Sequence, residues 1–151
     1  MWLREMKTTI RIQQEEFNLA HEVEALSHSD VGAVASFTGH VRAGDGLTSL
    51  VLEHYPGMTE REIARQVEEA GRRWPLLGVS VIHRVGELKP GEPIVLVAVA
   101  AMHRAEAFAA CEFLMDHIKT EATFWKQEKR SARTAWVEAK PSDDKAAEHW
   151  K

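Results

Sequence analysis

Cysteine is nearly missing from this chain: Cys111 is alone among 151 residues, so no internal disulfide can form and the core must hold by packing. Tyrosine also occurs once. The five prolines and nine glycines fall singly at turns, which leaves no flexible linker and no low-complexity tract, and no internal repeat is visible. Long apolar runs are lacking as well: the longest uncharged one, Ile94 to Met102, has nine residues against the roughly 20 that a membrane-spanning helix needs. The leading Met1-Trp2-Leu3-Arg4-Glu5-Met6-Lys7 has no apolar stretch of the secretory kind, and with one unpaired cysteine this gives the expectation of a cytoplasmic protein. An excess of positive charge is absent too. Nineteen Lys and Arg face 23 Asp and Glu for a net −4, which excludes a nucleic-acid binder relying on global charge and leaves room only for a local basic patch.

What is present is the composition of a soluble globular protein, 44% hydrophobic and 28% charged, which excludes wholesale disorder and collagen-like or coiled-coil architectures. A chain of this length buries about 68–70% of its unfolded surface, enough for one domain over residues 1–151 without a metal staple.

Periodicity then divides the chain. Thr8 to Gln13 reads as a strand, and Asn18 as the N-cap of a helix carrying Leu19, Val23 and Leu26. Val31 to Thr38 is a strand, Gly39 to Gly46 a loop, and Thr48 to Tyr55 an alternating strand closed by Pro56-Gly57. Thr59-Glu60-Arg61-Glu62 has the form of a capping box, in which a Thr side chain and the Glu three residues on satisfy each other's backbone donors. The helix it opens, with Ile63, Val67, Ala70 and Trp74 as its buried stripe, runs to about Trp74, where Pro75 stops it. Val79 to Arg84 alternates as a further strand, and Lys89-Pro90-Gly91-Glu92 turns into Ile94 to Ala101, apolar on both faces and so expected in the middle of a sheet. From His103 to about Lys119 the period is helical, a basic stretch follows, Thr134 to Ala139 is a closing strand, and Ser142 caps a short helix reaching Trp150. Several strand pairs are joined by turns too short for a crossover, so the expected class is α+β with a mostly antiparallel sheet and packed helices.

Eight histidines invite a metal reading, but none forms HxH, HxxxH or HExxH, and Cys111 has no CxxC partner; no metal or cofactor is expected. Cys111 lies in the apolar stripe of a helix with nothing nearby in sequence to lower its pKa, and reads as a small buried hydrophobe. His103-Arg104 falls where a strand gives way to a helix, and two readings stand there: an anion site favoured by free N–H groups and the helix dipole, or a solvated helix start. Arg42, in a loop after a strand, has the same two readings. Lys119 and Lys126 are seven residues apart, so both share one face if the helix continues that far, and the adjacent Phe124-Trp125 suits a planar ring bearing negative charge.

The segments Phe37-Thr38-Gly39-His40-Val41-Arg42, Leu52-Glu53-His54-Tyr55-Pro56-Gly57-Met58-Thr59-Glu60, Ile82-His83-Arg84-Val85-Gly86-Glu87-Leu88 and His103-Arg104-Ala105-Glu106-Ala107-Phe108 resemble the large, catalytic subunit of molybdopterin synthase. So do Lys119-Thr120-Glu121-Ala122-Thr123-Phe124-Trp125-Lys126 and Trp136-Val137-Glu138-Ala139, all in the family's order from about Ile10 to Trp150. Two positions depart from it: His40 stands where the family usually has Lys, and Thr123 where it usually has Pro.

The resemblance implies an α/β-hammerhead-like fold and a sulfurtransferase that converts cyclic pyranopterin monophosphate (precursor Z) into molybdopterin. Two sulfur transfers build the dithiolene, each from a C-terminal Gly-Gly thiocarboxylate on a small ubiquitin-like subunit. It implies Lys119 as the main catalytic residue, meeting the tail by charge or by covalent link, with Lys126 assisting. Arg42, His103 and Arg104 are implied to bind phosphate and pterin, and Phe37, Met115 and Phe124 to line the pocket. If His103 opens a helix that Lys119 closes, sixteen residues at 1.5 Å separate them by about 24 Å, too far for one small ligand. The site then needs two copies of the chain, in agreement with the family's dimeric large subunit inside a heterotetramer. The competing class is a non-catalytic module that docks a ubiquitin-like tail; intact Lys119 and Lys126 favour the enzyme.

Overall fold

The computed structural model describes residues 5–131, 134–137 and 146–150. Within them the chain runs β1 (Lys7–Gln13), α1 (Leu19–Leu26), β2 (Ala33–His40), β3 (Leu47–His54), α2 (Met58–Arg73), β4 (Leu76–Arg84), β5 (Gly86–Leu88), β6 (Pro93–Ala101), α3 (Arg104–Glu121), β7 (Phe124–Arg130) and β8 (Thr134–Val137). The expected α+β class with mostly antiparallel pairing is what the chain adopts, but the strands form two four-stranded sheets. The first has the order β1-β4-β6-β2 and the second β5-β3-β7-β8, and among the described residues only the β1–β4 pair is parallel.

The placing of β6 follows from its composition. With no polar side chain it can sit only where both faces are covered. Val95, Val97, Val99 and Ala101 pack in one core cluster with Ile63, Val67 and Ala70 of α2 and Ala110, Phe113 and Leu114 of α3. Leu96, Ala98 and Ala100 point the other way, into a second cluster with Leu26 of α1 and Phe17. Phe113 is fully buried and met edge-on by Trp74 and Trp150. A third, smaller cluster of Val41, Leu50, Leu52 and Leu88 lies where the two sheets join.

Local signals act mostly as their chemistry dictates. The Asn18 side chain accepts from the His21 N–H at the start of α1, and α2 ends at Arg73 ahead of Pro75. The cap of α2 sits two residues earlier than the Thr59 to Glu62 pattern suggests. The Gly57 N–H donates to Glu60 Oε1 at 2.9 Å, with Gly57 at φ 86°, a conformation that side chains rarely adopt. Thr59 is thereby released to bond elsewhere. Its buried hydroxyl accepts from the Tyr55 N–H at 2.9 Å and donates to the Thr123 carbonyl at 2.8 Å. That second bond ties the start of α2 to the connection between α3 and β7.

The largest departure is that connection. Helix α3 stops at Glu121, because Ala122 turns extended (φ −72°, ψ 137°), and the basic stretch after it becomes β7, paired on both sides by β3 and β8. The short β5 also has no counterpart in the periodicity. Of the closing strand, Thr134–Val137 is observed; Glu138, Ala139 and the Ser142 cap lie outside the described residues, and residues 146–148 are helical. No helix among the described residues is long and apolar enough to cross a membrane.

The Thr59 tie gives a stability prediction. Thr59→Val keeps the shape but leaves the Tyr55 N–H and the Thr123 carbonyl without their partner, and is expected to cost about 1–3 kcal/mol in urea unfolding. Thr59→Ser, which keeps the hydroxyl, should lose less; equal losses would show that the methyl contact carries the effect.

Candidate functional site

Three passages of the chain from the first sheet to the second converge on one place: the loop of residues 41–46 between β2 and β3, the end of β4, and the turn from α3 into β7. They enclose a cleft of about 440 Å³. The loop contributes Arg42 and Asp45, β4 contributes His83, and the last turn of α3 contributes Lys119. In β7 the period of two puts Phe124, Lys126, Glu128 and Arg130 on the face toward the cleft, and all four line it. Trp125 points the other way, half-exposed, with its ring centroid 5.7 Å from that of Tyr55.

Lys119 and Lys126 therefore do meet in one cleft, by a route other than a shared helical face. One stands on the last turn of a helix, where a cation also complements the dipole, and the other on the antiparallel strand that follows. Phe124 and Trp125 do not act as a pair, because strand alternation sends them to opposite faces. Among the lining residues Arg42, Lys119, Lys126 and Arg130 outnumber Asp45 and Glu128, so the cleft is a locally cationic place in an acidic chain. Anions are the ligands it favours.

His83 is the residue that sequence reasoning passed over. Its ring is buried and stacks on Phe124, with centroids 3.8 Å apart and planes 18° from parallel. The Nδ1–H donates to the Arg84 carbonyl at 2.8 Å, since a carbonyl can only accept; the neutral ring then presents Nε2 as an acceptor. Burial lowers its pKa to about 4, and the positive charges of Lys126 and His54 push the same way against that backbone bond. His83 thus offers an uncharged acceptor among cations. Arg84 holds the strand end that carries it: the buried guanidinium donates to the Gln14 carbonyl at 2.9 and 3.1 Å and to the Pro93 carbonyl at 3.1 Å.

Arg130 and Glu128 were also missed, because the basic stretch after the helix hides a strand. The Phe124, Lys126, Glu128, Arg130 alternation is the signal that would have found them. Arg130 pairs with Glu128 and donates to the carbonyls of Asp45 at 2.8 Å and Gly44 at 3.3 Å.

Other expected site residues lie elsewhere. His103 is the N-cap of α3 and Arg104 its first residue, both exposed at the end opposite Lys119, so one chain does not bring them together. Phe37, 41% exposed on the edge strand β2, and Met115, buried in the main core cluster, are not among the residues lining this cleft. Position 115 is four residues from Lys119, but the helix turns that side chain to the core. Cys111 is buried, its thiol 3.7 Å from the Val97 carbonyl, and burial raises its pKa to about 11, with Glu112 adding to the effect; it stays protonated near neutral pH and is a poor nucleophile.

Residues 12–121 match the family model described as MoaE protein. The chain is 53% identical over 148 residues to the molybdopterin synthase catalytic subunit of Mesorhizobium japonicum, covering 95% of this chain and 93% of that one. It is 51% identical over 147 residues to the protein of the same name from Ralstonia nicotianae, covering 94% and 84%. The solved structure of the molybdopterin biosynthesis MoaE protein from Burkholderia ambifaria superposes with a TM-score of 0.83 at 50% identity, covering 95% of this chain and 97% of that one.

The buried neutral His83 makes stability depend on pH in a definite direction. The folded pKa of about 4 lies below the ordinary 6.5, so between those values the unfolded chain binds the extra proton. The stabilisation is present above pH 6.5 and drains away as pH falls toward 4, by on the order of 3 kcal/mol. Urea unfolding of wild type and His83→Gln at pH 7 and pH 4.5 should show the wild type losing more; parallel losses would refute the assignment.

Proposed function

We propose, from the premise that this chain belongs to the MoaE family, that its cationic cleft is where two anionic reactants meet during sulfur transfer. By family and relatives its activity is that of a molybdopterin synthase catalytic subunit, a sulfurtransferase of molybdenum cofactor biosynthesis. The observation that carries the site reading is the convergence of Arg42, Lys119 and Lys126 from three different elements on one cleft.

In this reading the sulfur donor is a small ubiquitin-like carrier whose C-terminal Gly-Gly thiocarboxylate enters the cleft, and the acceptor is precursor Z, a flat ring bearing a phosphate. Cleft cations lower the repulsion between thiocarboxylate and phosphate and help hold the two together. Lys119 meets the tail's end and Lys126 stabilises the charge that develops as sulfur leaves. Arg42 holds the phosphate. Phe124, braced from behind by His83, presents a flat apolar surface for the pterin, and the neutral imidazole adds an acceptor without adding charge. The protonated, buried Cys111 supports a sulfur source outside the chain. The working compartment is the cytoplasm.

His103 and Arg104 complete the site from a second copy of the chain within a heterotetramer. The length of α3 supports this, since its two ends cannot serve one small ligand.

With precursor Z and thiocarboxylated carrier supplied, the wild-type protein is expected to form molybdopterin, and tight carrier binding without product would sink the enzymatic reading. Lys119→Ala should lose turnover by about a hundredfold or more while carrier affinity stays within a few fold. Mixing inactive His103→Ala and Lys119→Ala proteins should restore part of the activity; no recovery despite demonstrated subunit exchange would refute the shared site.

A further inference from the structure

The loop of residues 41–46 that carries Arg42 is anchored at both ends by backbone bonds. At its start the Val41 N–H donates to the Glu92 carbonyl at 2.9 Å, and the Gly91 N–H donates to the Val41 carbonyl at 2.7 Å. At its end the Ser131 N–H donates to the Gly46 carbonyl at 3.0 Å. Its apex closes on itself through the Leu47 N–H, which donates to the Gly44 carbonyl at 3.0 Å. Gly44, Asp45 and Gly46 all take positive φ, of 146°, 51° and 72°, and Asp45 is the one non-glycine among the described residues to do so. The side chain seen gripping this apex belongs to Arg130, whose guanidinium donates to the Gly44 and Asp45 carbonyls while its other arm pairs with Glu128.

We propose that Arg130 is a positioning residue: it latches the apex of the 41–46 loop to β7 and so sets where Arg42 stands across the cleft from Lys126. A planar fork suits this geometry because it reaches two carbonyls and a carboxylate at once, which a point charge such as an ammonium does not. Glu128 fixes the guanidinium from the β7 side, two residues along the same strand face and two beyond Lys126. The latch therefore joins the loop directly to the strand that presents the second lysine. Its charge is directed at loop carbonyls and Glu128, and its effect on the substrate passes through Arg42. The proposal rests on the reading of Arg42 as the phosphate holder.

Two variants and two readouts decide it. In the full chain, Arg130→Ala and Arg130→Lys are both expected to speed amide hydrogen exchange in residues 42–47 by about tenfold, leaving exchange in β6 unchanged. Both should raise KM for precursor Z by about tenfold with kcat within about twofold, since the chemistry of Lys119 is untouched. If Arg130→Lys restores wild-type KM, Arg130 acts on the substrate by charge and the latch is overturned. Unchanged loop exchange in both variants overturns it, as does faster exchange with KM unaltered. Should the wild-type chain form no product with precursor Z and thiocarboxylated carrier, the functional reading falls, and loop exchange alone decides whether Arg130 holds the loop.

Discussion

A nine-residue strand without a single polar side chain, Pro93–Ala101, must be covered on both faces, and the rest of the molecule is arranged to do it. Burying an apolar side chain of Val or Leu size is worth about 1.5–3 kcal/mol, so leaving either face of β6 in water is not an available state. Helices α2 and α3 cover one face and α1 the other. Because α3 must lie along the sheet to do this, its C-terminal end is delivered to the border between the two sheets, and with it Lys119. The site is in that sense a consequence of core packing.

The border is also where the electrostatics depart from the average. A net charge of −4 describes the whole chain, yet four cations and two carboxylates line the cleft. Holding cations together costs free energy unless something compensates. Here Arg130 is paired with Glu128 and loop carbonyls, and His83 is kept uncharged by burial, which limits the like charge gathered in the cleft. A neutral imidazole at that position avoids one more like charge beside Lys126.

Much of the architecture was legible because the signals were local. The Asn18 cap, the Pro75 stop, the stripe of Ile63, Val67 and Ala70, and the two-faced apolar run of β6 each depend on residues within one or two turns or along a single strand. The β7 strand was not legible, because a run of Lys, Gln, Glu and Arg has weak intrinsic strand preference and is strand here by virtue of pairing with β3 and β8. The same cause hid Glu128 and Arg130. The Thr59 cap was misplaced for a related reason: a hydroxyl that fits a capping box equally fits a long-range bond, and the carbonyl of Thr123 lies 64 residues away.

The sequence by itself determined the class of protein, its family, and the residue types of the chemistry: cations in unusual strings, no metal spacing, and a lone thiol with no activator. It carried that information because motifs and composition are properties of neighbours along the chain. Only the tertiary structure decided that Lys119 and Lys126 share a cleft across a helix-to-strand turn, that His83 stands neutral against Phe124, and that Arg130 of β7 reaches the carbonyls of the 41–46 loop. Those are distances through space between residues of different elements, set by how a doubly covered strand and two adjoining sheets can pack, and no spacing along the chain encodes them.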